Sequence, residues 1–257
     1  MTAPFALIRD AERVRRLAAL PDVRPAALGR LRAATAAVVG VGGLGSAAAP
    51  YLAAAGVGRL RLIDPDTVHQ TDLGRQILYD PKDVGTLKVE AARAHLQAQA
   101  PETVVEALAE RLDEDSGTRL LDGVDVVLDG LDDGVPRDWL NRFAVATGVP
   151  VVFGGALGYE GQVLVVAPGG PCLACLFGSV AGAAADCARD GVLGPLVGLV
   201  GALQAAEAMK ILMQIGRPLA GRLFQMDLYT GDTRVIRFPA RPDCPICSGG
   251  VPARTTP

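Results

Sequence analysis

Four of the five cysteines stand in two pairs, Cys172-Leu173-Ala174-Cys175 and Cys244-Pro245-Ile246-Cys247, with Cys187 alone between them. Two C-x-x-C knuckles supply the four thiolates that a tetrahedral structural zinc ion needs, and the two-residue spacing lets both sulfurs of a pair face one ion. Redox dithiols are the competing reading. A cytosolic chain seldom keeps disulfides, however, and neither pair follows a thioredoxin-like strand pattern. A metal there clips the end of the chain back onto its middle and stabilises chiefly by closing the long loop between the knuckles.

A second chemistry is written in Gly40-Val41-Gly42-Gly43-Leu44-Gly45, a G-x-G-x-x-G that follows an apolar strand-like run and precedes a helical one. Glycines in that context let the backbone approach phosphate, and Asp64, at the end of the next strand-like run, is placed to accept hydrogen bonds from ribose hydroxyls. The pattern serves a nicotinamide dehydrogenase and an ATP-using enzyme equally well, and a glycine turn packed for close strand and helix contact is the non-functional alternative. Beyond Asp64 the run Asp72-Leu73-Gly74-Arg75-Gln76 and then Lys88 add two cations. Read singly, each is a solvated surface charge. Together they favour a triphosphate, because nucleotidyl transfer needs Arg, Lys and a metal to stabilise charge developing on phosphate oxygens. A further run, Asp129-Gly130-Leu131-Asp132-Asp133, puts carboxylates at a strand's C-terminal edge, where hard oxygen ligands suit magnesium held together with phosphates. Asp132 and Asp133 also read as a helix N-cap.

The elements that must position these groups alternate. Valine-rich runs at 36–41, 60–63, 104–108, 124–128 and 151–153 read as strands, and 44–55, 88–100, 116–121 and 136–147 as helices. This predicts an α/β fold, a Rossmann-like, mostly parallel sheet with helices on both faces. From 162 onward the pattern changes to a strand at 162–166, a long helix around 196–213 and a hairpin-like pair at 222–228 and 233–238, so antiparallel strands are expected to continue the sheet. The first twenty residues carry Leu7, Ala11, Val14, Leu17 and Leu20 at helical spacing, and Pro21 and Pro25 interrupt them.

Composition narrows the class. The chain has 257 residues, 50% of them hydrophobic and 21% charged, with a net charge of -3. That is the balance of a folded globular protein with a core large enough to need no disulfides. It offers no overall cationic surface for nucleic acid phosphates or anionic lipid, so neither is expected as a partner. The longest uncharged stretch, 33–58, is broken by glycines and Pro50 and reads as strand, loop and helix rather than a membrane span. The N-terminus lacks the order of regions that makes a signal peptide, and a cytoplasmic location is expected.

With these residues assembled, the chain resembles the ThiF, MoeB and HesA family of adenylyltransferases related to the ubiquitin-activating enzyme, and within it the MoeB branch, the molybdopterin-synthase adenylyltransferases. The resemblance spans nearly the whole chain as one domain. It rests on Glu12-Arg13-Val14-Arg15-Arg16, 38–45, Ile63-Asp64-Pro65-Asp66-Thr67-Val68, Leu73-Gly74-Arg75-Gln76, 85–93, 129–137, both knuckles, Asp186-Cys187 through Gly191 to Pro195, and 201–210. It implies a helical arm over 1–33, a nucleotide-binding half over 34–155 and a carrier-binding and zinc half over 156–257.

The resemblance further implies ATP-dependent adenylation of the C-terminal glycine of a ubiquitin-like sulfur carrier ending in Gly-Gly, with release of pyrophosphate. It makes Asp64 the ribose ligand, Arg75 and Lys88 phosphate ligands assisted by Gln76, and Asp132 the magnesium carboxylate, with Gly40, Gly42, Gly43 and Gly45 forming the loop. It implies a homodimer in which Arg16 reaches the partner's site, and it aligns Cys187 with a cysteine that in some members links covalently to the carrier or a persulfide. The segment 181–194 is expected to cross over the carrier's tail. Attack by an ionised carboxylate needs no proton removal, in keeping with a chain whose only histidines are His69 and His95. No rhodanese-like domain follows Cys247, so a separate sulfur donor is expected. The chain departs from the family at Asp72 and Asp133, where Asn is usual. Two added carboxylates beside a triphosphate are expected to weaken its binding unless magnesium or Arg137 compensates. The rival functions are a carrier-binding scaffold without turnover, adenylation of a different carboxylate, and an NAD(P)-dependent oxidoreductase. The carrier and its pathway, molybdenum cofactor, thiamine, tRNA thiolation or another, are not specified by these motifs.

Overall fold

The computed structural model describes residues 12–178 and 191–252. Its centre is one sheet of eight strands in the order β3-β2-β1-β4-β5-β6-β7-β8. These strands are β1 (Thr35–Val39), β2 (Arg59–Ile63), β3 (Val104–Leu108), β4 (Val126–Asp129), β5 (Val151–Leu157), β6 (Glu160–Val166), β7 (Arg222–Asp227) and β8 (Asp232–Arg237). The five from β3 to β5 pair in parallel, and β6, β7 and β8 extend the sheet antiparallel. The expected α/β architecture with its antiparallel continuation is what the chain adopts.

Both faces of the parallel part are covered, which is why its strands read as apolar runs without alternation. Along β1, Ala36 and Val38 enter one core while Ala37 and Val39 enter the other. The first core is roofed by helices Gly43–Ala54, Lys88–Gln99 and Gly194–Met213, and the second by Gly134–Thr147 and the cysteine knuckles. Helix Gly194–Met213 is long and apolar enough to cross a bilayer, yet 56% of its most apolar window is buried inside the fold. It packs so closely on Gly43–Ala54 that a Cβ on Gly201 would lie 2.4 Å from the Leu44 carbonyl oxygen.

The boundaries differ from the sequence reading where proline and glycine misdirect it. Pro25 begins a helix, Pro25–Ala33, instead of ending one; at the first helical position the missing N–H has no partner to lose. Strand β5 runs on to Leu157 through Gly154 and Gly155. Gly154 is required there, since a Cβ would come within 2.6 Å of the Gln204 side chain. Of the expected N-terminal helix the described part holds Arg15–Ala18, and Leu7 lies outside the described residues. Two 3-10 turns, Gln70–Asp72 and Pro81–Asp83, have no counterpart in the pattern of apolar spacing.

Candidate functional site

The chain leaves β1 toward β2 and β3 on one side and returns to β4 on the other, so the crevice beyond the carboxyl ends of β1 and β4 is the switch point at which such sheets bind ligands. The loops after these two strands touch. Gly40, at φ 83°, lies so close to Gly130 that a Cβ would sit 2.7 Å from its carbonyl oxygen, and one on Gly45 would meet Gly40's oxygen at 2.0 Å. The glycine fingerprint is therefore needed for packing as well as for backbone exposure. Helix Gly43–Ala54 opens over this crevice with no side-chain cap and no acidic residue in its first turn. Its first N–H groups and its dipole are left to favour an anion.

Asp64 staples this loop. One carboxylate oxygen accepts the Val41 N–H at 2.7 Å and the other the Asp66 N–H at 2.9 Å. Burial pushes its pKa up against these bonds and the nearby Lys88 charge. Tyr79 donates its hydroxyl to the Val41 carbonyl at 2.7 Å from the other side, and burial raises that phenol well above its ordinary range. No sequence signal pointed to Tyr79.

A cavity of about 200 Å³ fills the crevice, and Gly40, Gly42, Gly43, Asp64, Arg75, Gln76, Lys88, Asp132 and Asp133 are all in its wall. The structure thus brings together nine of the residues expected to bind nucleotide. Gly45 and Asp72 are not in the wall, the first because it packs beneath the loop and the second because it lies behind the cations. Asp72 is 5% exposed. Its Oδ1 accepts from Gln76 Nε2 at 2.9 Å and Arg75 Nη2 at 3.3 Å, and its Oδ2 accepts the His69 N–H at 3.0 Å and lies 3.9 Å from Lys88 Nζ. Lys88 also pairs with Asp66 at 3.4 Å. Asp66 is a wall residue that spacing arguments passed over, although it stands two residues after Asp64. Gln76 Oε1 is buried without a hydrogen-bond partner among the described residues, an unsatisfied acceptor on a residue of the cavity wall. Asp133 caps helix Gly134–Thr147 by accepting the Val135 N–H at 3.0 Å, so it serves the cap and the wall together, while Asp132 beside it is exposed to the cavity.

Arg137, one turn into that helix, stands at the junction with a second cavity of about 420 Å³. Arg137, Gly155 and Ala156 line both spaces. The second cavity lies over the antiparallel extension, between the ends of β5 and β6 and the β7–β8 hairpin.

The four knuckle cysteines converge on the second core although the pairs are distant in sequence. Sulfur separations are 3.9 Å for Cys172 to Cys175, 3.6 Å for Cys172 to Cys244 and 3.5 Å for Cys175 to Cys247. A tetrahedral ion with metal–sulfur bonds of about 2.3 Å requires sulfurs about 3.8 Å apart, so the donor set fits one without rearrangement. Burial pushes the Cys172 and Cys175 thiols up. At Cys244 burial is outweighed by the backbone N–H groups of Cys247 and Ile246, which bring it to about 7.

Arg16 is exposed on helix Arg15–Ala18 and is absent from the cavity wall, and Cys187, with the segment 181–190, lies outside the described residues.

The ThiF family profile matches residues 14–246. The sulfur carrier protein adenylyltransferase of Thermus thermophilus is 40% identical over 246 residues, covering 93% of this chain and 91% of that one. The molybdopterin-synthase adenylyltransferase of Salmonella typhimurium is 40% identical over 219 residues, covering 84% and 88%. Among solved structures, Escherichia coli MccB with ATP superposes with a TM-score of 0.76 at 21% identity, over 86% of this chain and 68% of that one, a likeness of fold.

Proposed function

Since this chain belongs to the ThiF family, we propose that it adenylates the C-terminal glycine carboxylate of a ubiquitin-like sulfur carrier with ATP and releases pyrophosphate. The observation that carries the reading is the convergence of a glycine loop, a helix N-terminus, Arg75, Lys88 and Asp132 on one crevice that shares Arg137, Gly155 and Ala156 with a second cavity. The first space suits a nucleotide triphosphate and the second an extended peptide tail.

The chemistry follows from charge. A carboxylate oxygen of the tail attacks the α-phosphorus, a carbon–oxygen–phosphorus linkage forms, and the bond from that phosphorus to the bridging oxygen of pyrophosphate breaks. Both reactants are anions, so the barrier is lowered by alignment and by neutralisation of charge on the phosphates. The N–H groups at Gly42 and Gly43 and the side chains of Arg75 and Lys88 would hold the phosphates, and Asp64 would meet the ribose at the loop it staples. The orphaned Gln76 oxygen and the carboxylate of Asp132 fit a hydrated magnesium, which would neutralise charge on the leaving pyrophosphate. No general base is required.

The four thiolates fit zinc, which would tie the C-terminal segment to the middle of the chain, and reduced cysteines suit a cytoplasmic setting. Residues 34–155 form the nucleotide half in this reading and 156–257 the carrier and zinc half, with 1–33 as the arm. An exposed Arg16, absent from the wall of its own chain's cavity, supports its delivery to a partner's site in a homodimer. A separate sulfur donor would then attack the acyl-adenylate, with Cys187 available for a covalent step.

The test is exchange of pyrophosphate into ATP with magnesium, with and without a carrier ending in Gly-Gly and with the same carrier lacking its last glycine. Exchange is expected only with the intact tail. Bound ATP without exchange across the molybdenum-cofactor, thiamine and tRNA-thiolation carriers would overturn the reading in favour of a scaffold.

A further inference from the structure

We propose that Arg137, braced by Asp129, receives the terminal carboxylate of the incoming tail at the passage between the two cavities and turns it toward the nucleotide. This inference rests on the adenylation reading. Of the three residues common to both cavities, Arg137 alone carries a charge. A chain end that reaches from the second cavity to the nucleotide crevice along these shared residues meets its guanidinium.

The guanidinium is fixed in place rather than solvated. Its Nε lies 2.8 Å from Asp129 Oδ2, whose side chain has no exposed surface, while Arg137 keeps 21% of its own. Its Nη2 donates to the Gly154 carbonyl at 2.5 Å. The approach to Asp129 is off the N–H axis, so both atoms form an ion pair without an aligned hydrogen bond among the described residues. A fully buried carboxylate is costly unless it has a function for its charge. Here it holds Nε while the Gly154 carbonyl holds Nη2, which fixes the plane of the fork where the two cavities meet. The fork geometry matches a carboxylate, which takes two parallel N–H donors.

The surroundings give that cation selective value. The wall of the second cavity carries three carboxylates, Glu160, Asp227 and Asp232, and two cations, Arg234 and Arg137, and of those two cations Arg137 is the one that also lines the nucleotide crevice. Beyond Arg137 the next cations are those of the phosphate site. The ligand class that fits is a free α-carboxylate at the end of an extended chain.

Two measurements separate this inference from the reading on which it rests. Exchange of pyrophosphate by the wild-type protein with an intact carrier reports on adenylation. The ratio of dissociation constants for carriers ending in glycine carboxylate and glycine carboxamide reports on Arg137. The wild type is expected to prefer the carboxylate at least tenfold. Arg137→Gln should reduce that preference to less than twofold in a protein that melts as the wild type does, with a smaller loss of ATP binding than of carrier binding. Arg137→Lys, which keeps the charge and loses the fork, should retain an intermediate preference. Asp129→Asn should weaken the preference without abolishing it, as expected of a positioning residue. Full discrimination in a folded Arg137→Gln protein would overturn the role of Arg137 even if exchange in the wild type proceeds, as would equal losses of ATP and carrier binding. No exchange in the wild type would instead remove the adenylation reading.

Discussion

Replacing Cys244 and Cys247 together with serine removes one whole knuckle and with it any crosslink through a metal. The bridged sulfurs belong to residues 72 apart in both cross-pairs. Treated as a covalent clip, closure of a loop of that length restricts the unfolded chain by about 4 kcal/mol at 25 °C. For a protein of this size each kcal/mol shifts the melting temperature by about 2–4 °C, so the double variant should melt about 8–16 °C below the wild type. Packing of Leu173, Leu223, Phe238 and Val251 around the cluster survives the change, so the protein should lose stability and still fold. The assay is thermal unfolding by circular dichroism beside zinc content by elemental analysis. Wild-type protein stripped with a chelator should melt close to the variant. A variant that melts within about 2 °C of the wild type, or that keeps a full equivalent of zinc, would refute the clip.

Three further outcomes follow from the site and its supports. Lys88→Ala should lower pyrophosphate exchange by about 100- to 1,000-fold, the scale on which loss of one preorganised charge donor acts, measured against an unchanged melting temperature; wild-type exchange would remove Lys88 from the phosphate site. Arg16→Ala alone should be inactive, and mixing it with a Lys88→Ala partner should restore part of the activity if the finger crosses between subunits, whereas a mixture as inactive as its parents would place Arg16 elsewhere. Asp83 is held below the usual carboxylate range: burial, which would raise it, is outweighed by the Asp80 N–H and by His95. A folded pKa below the unfolded one contributes stability that is present above the unfolded value and lost as pH falls through the folded one. Asp83→Asn should therefore flatten the loss of stability below about pH 4, read from urea unfolding at pH 3 and pH 6, and an unaltered slope would show that Asp83 is not the group responsible.

Much of the fold was legible because its strongest signals are local. The valine runs of a sheet buried on both faces and the helices between them are apolar patterns that tertiary context does not reverse, and 104–108 was placed to the residue. What escaped were positions where one residue type serves two opposite purposes. Pro25 starts a helix because an N–H is dispensable there, and Gly154 continues a strand because a neighbour fills the space of its Cβ. At the site, the glycine loop, Asp64, Arg75, Lys88 and Asp132 were readable from motif order. The passage role of Arg137 was not, because it depends on two cavities meeting at one side chain, and Tyr79 was invisible because a lone tyrosine before an aspartate has no signature.

Asp72 shows how geometry can reverse an argument made from charge. Counted from sequence, an extra carboxylate near a triphosphate should weaken binding, and changing it to asparagine should strengthen it. The wall of the cavity already holds five carboxylates and four cations, so on the adenylation reading the net field would not be what draws ATP there; directed donors would be. Asp72 lies behind that wall and orients them, with Oδ1 on Arg75 and Gln76 and Oδ2 on the His69 N–H and near Lys88. Asparagine keeps one acceptor and replaces the other with a donor, which would face the His69 N–H and the Lys88 ammonium and have no bond to make with either. Losing one of two well-placed acceptors on a partly buried donor costs about 1 kcal/mol, more than relief of a partly screened repulsion returns. Asp72→Asn should therefore raise the KM for ATP by about fivefold or more, since each 1.4 kcal/mol is about tenfold in an equilibrium. A lower KM in the folded variant would mean that charge, and not the placement of Arg75 and Lys88, governs the phosphate site.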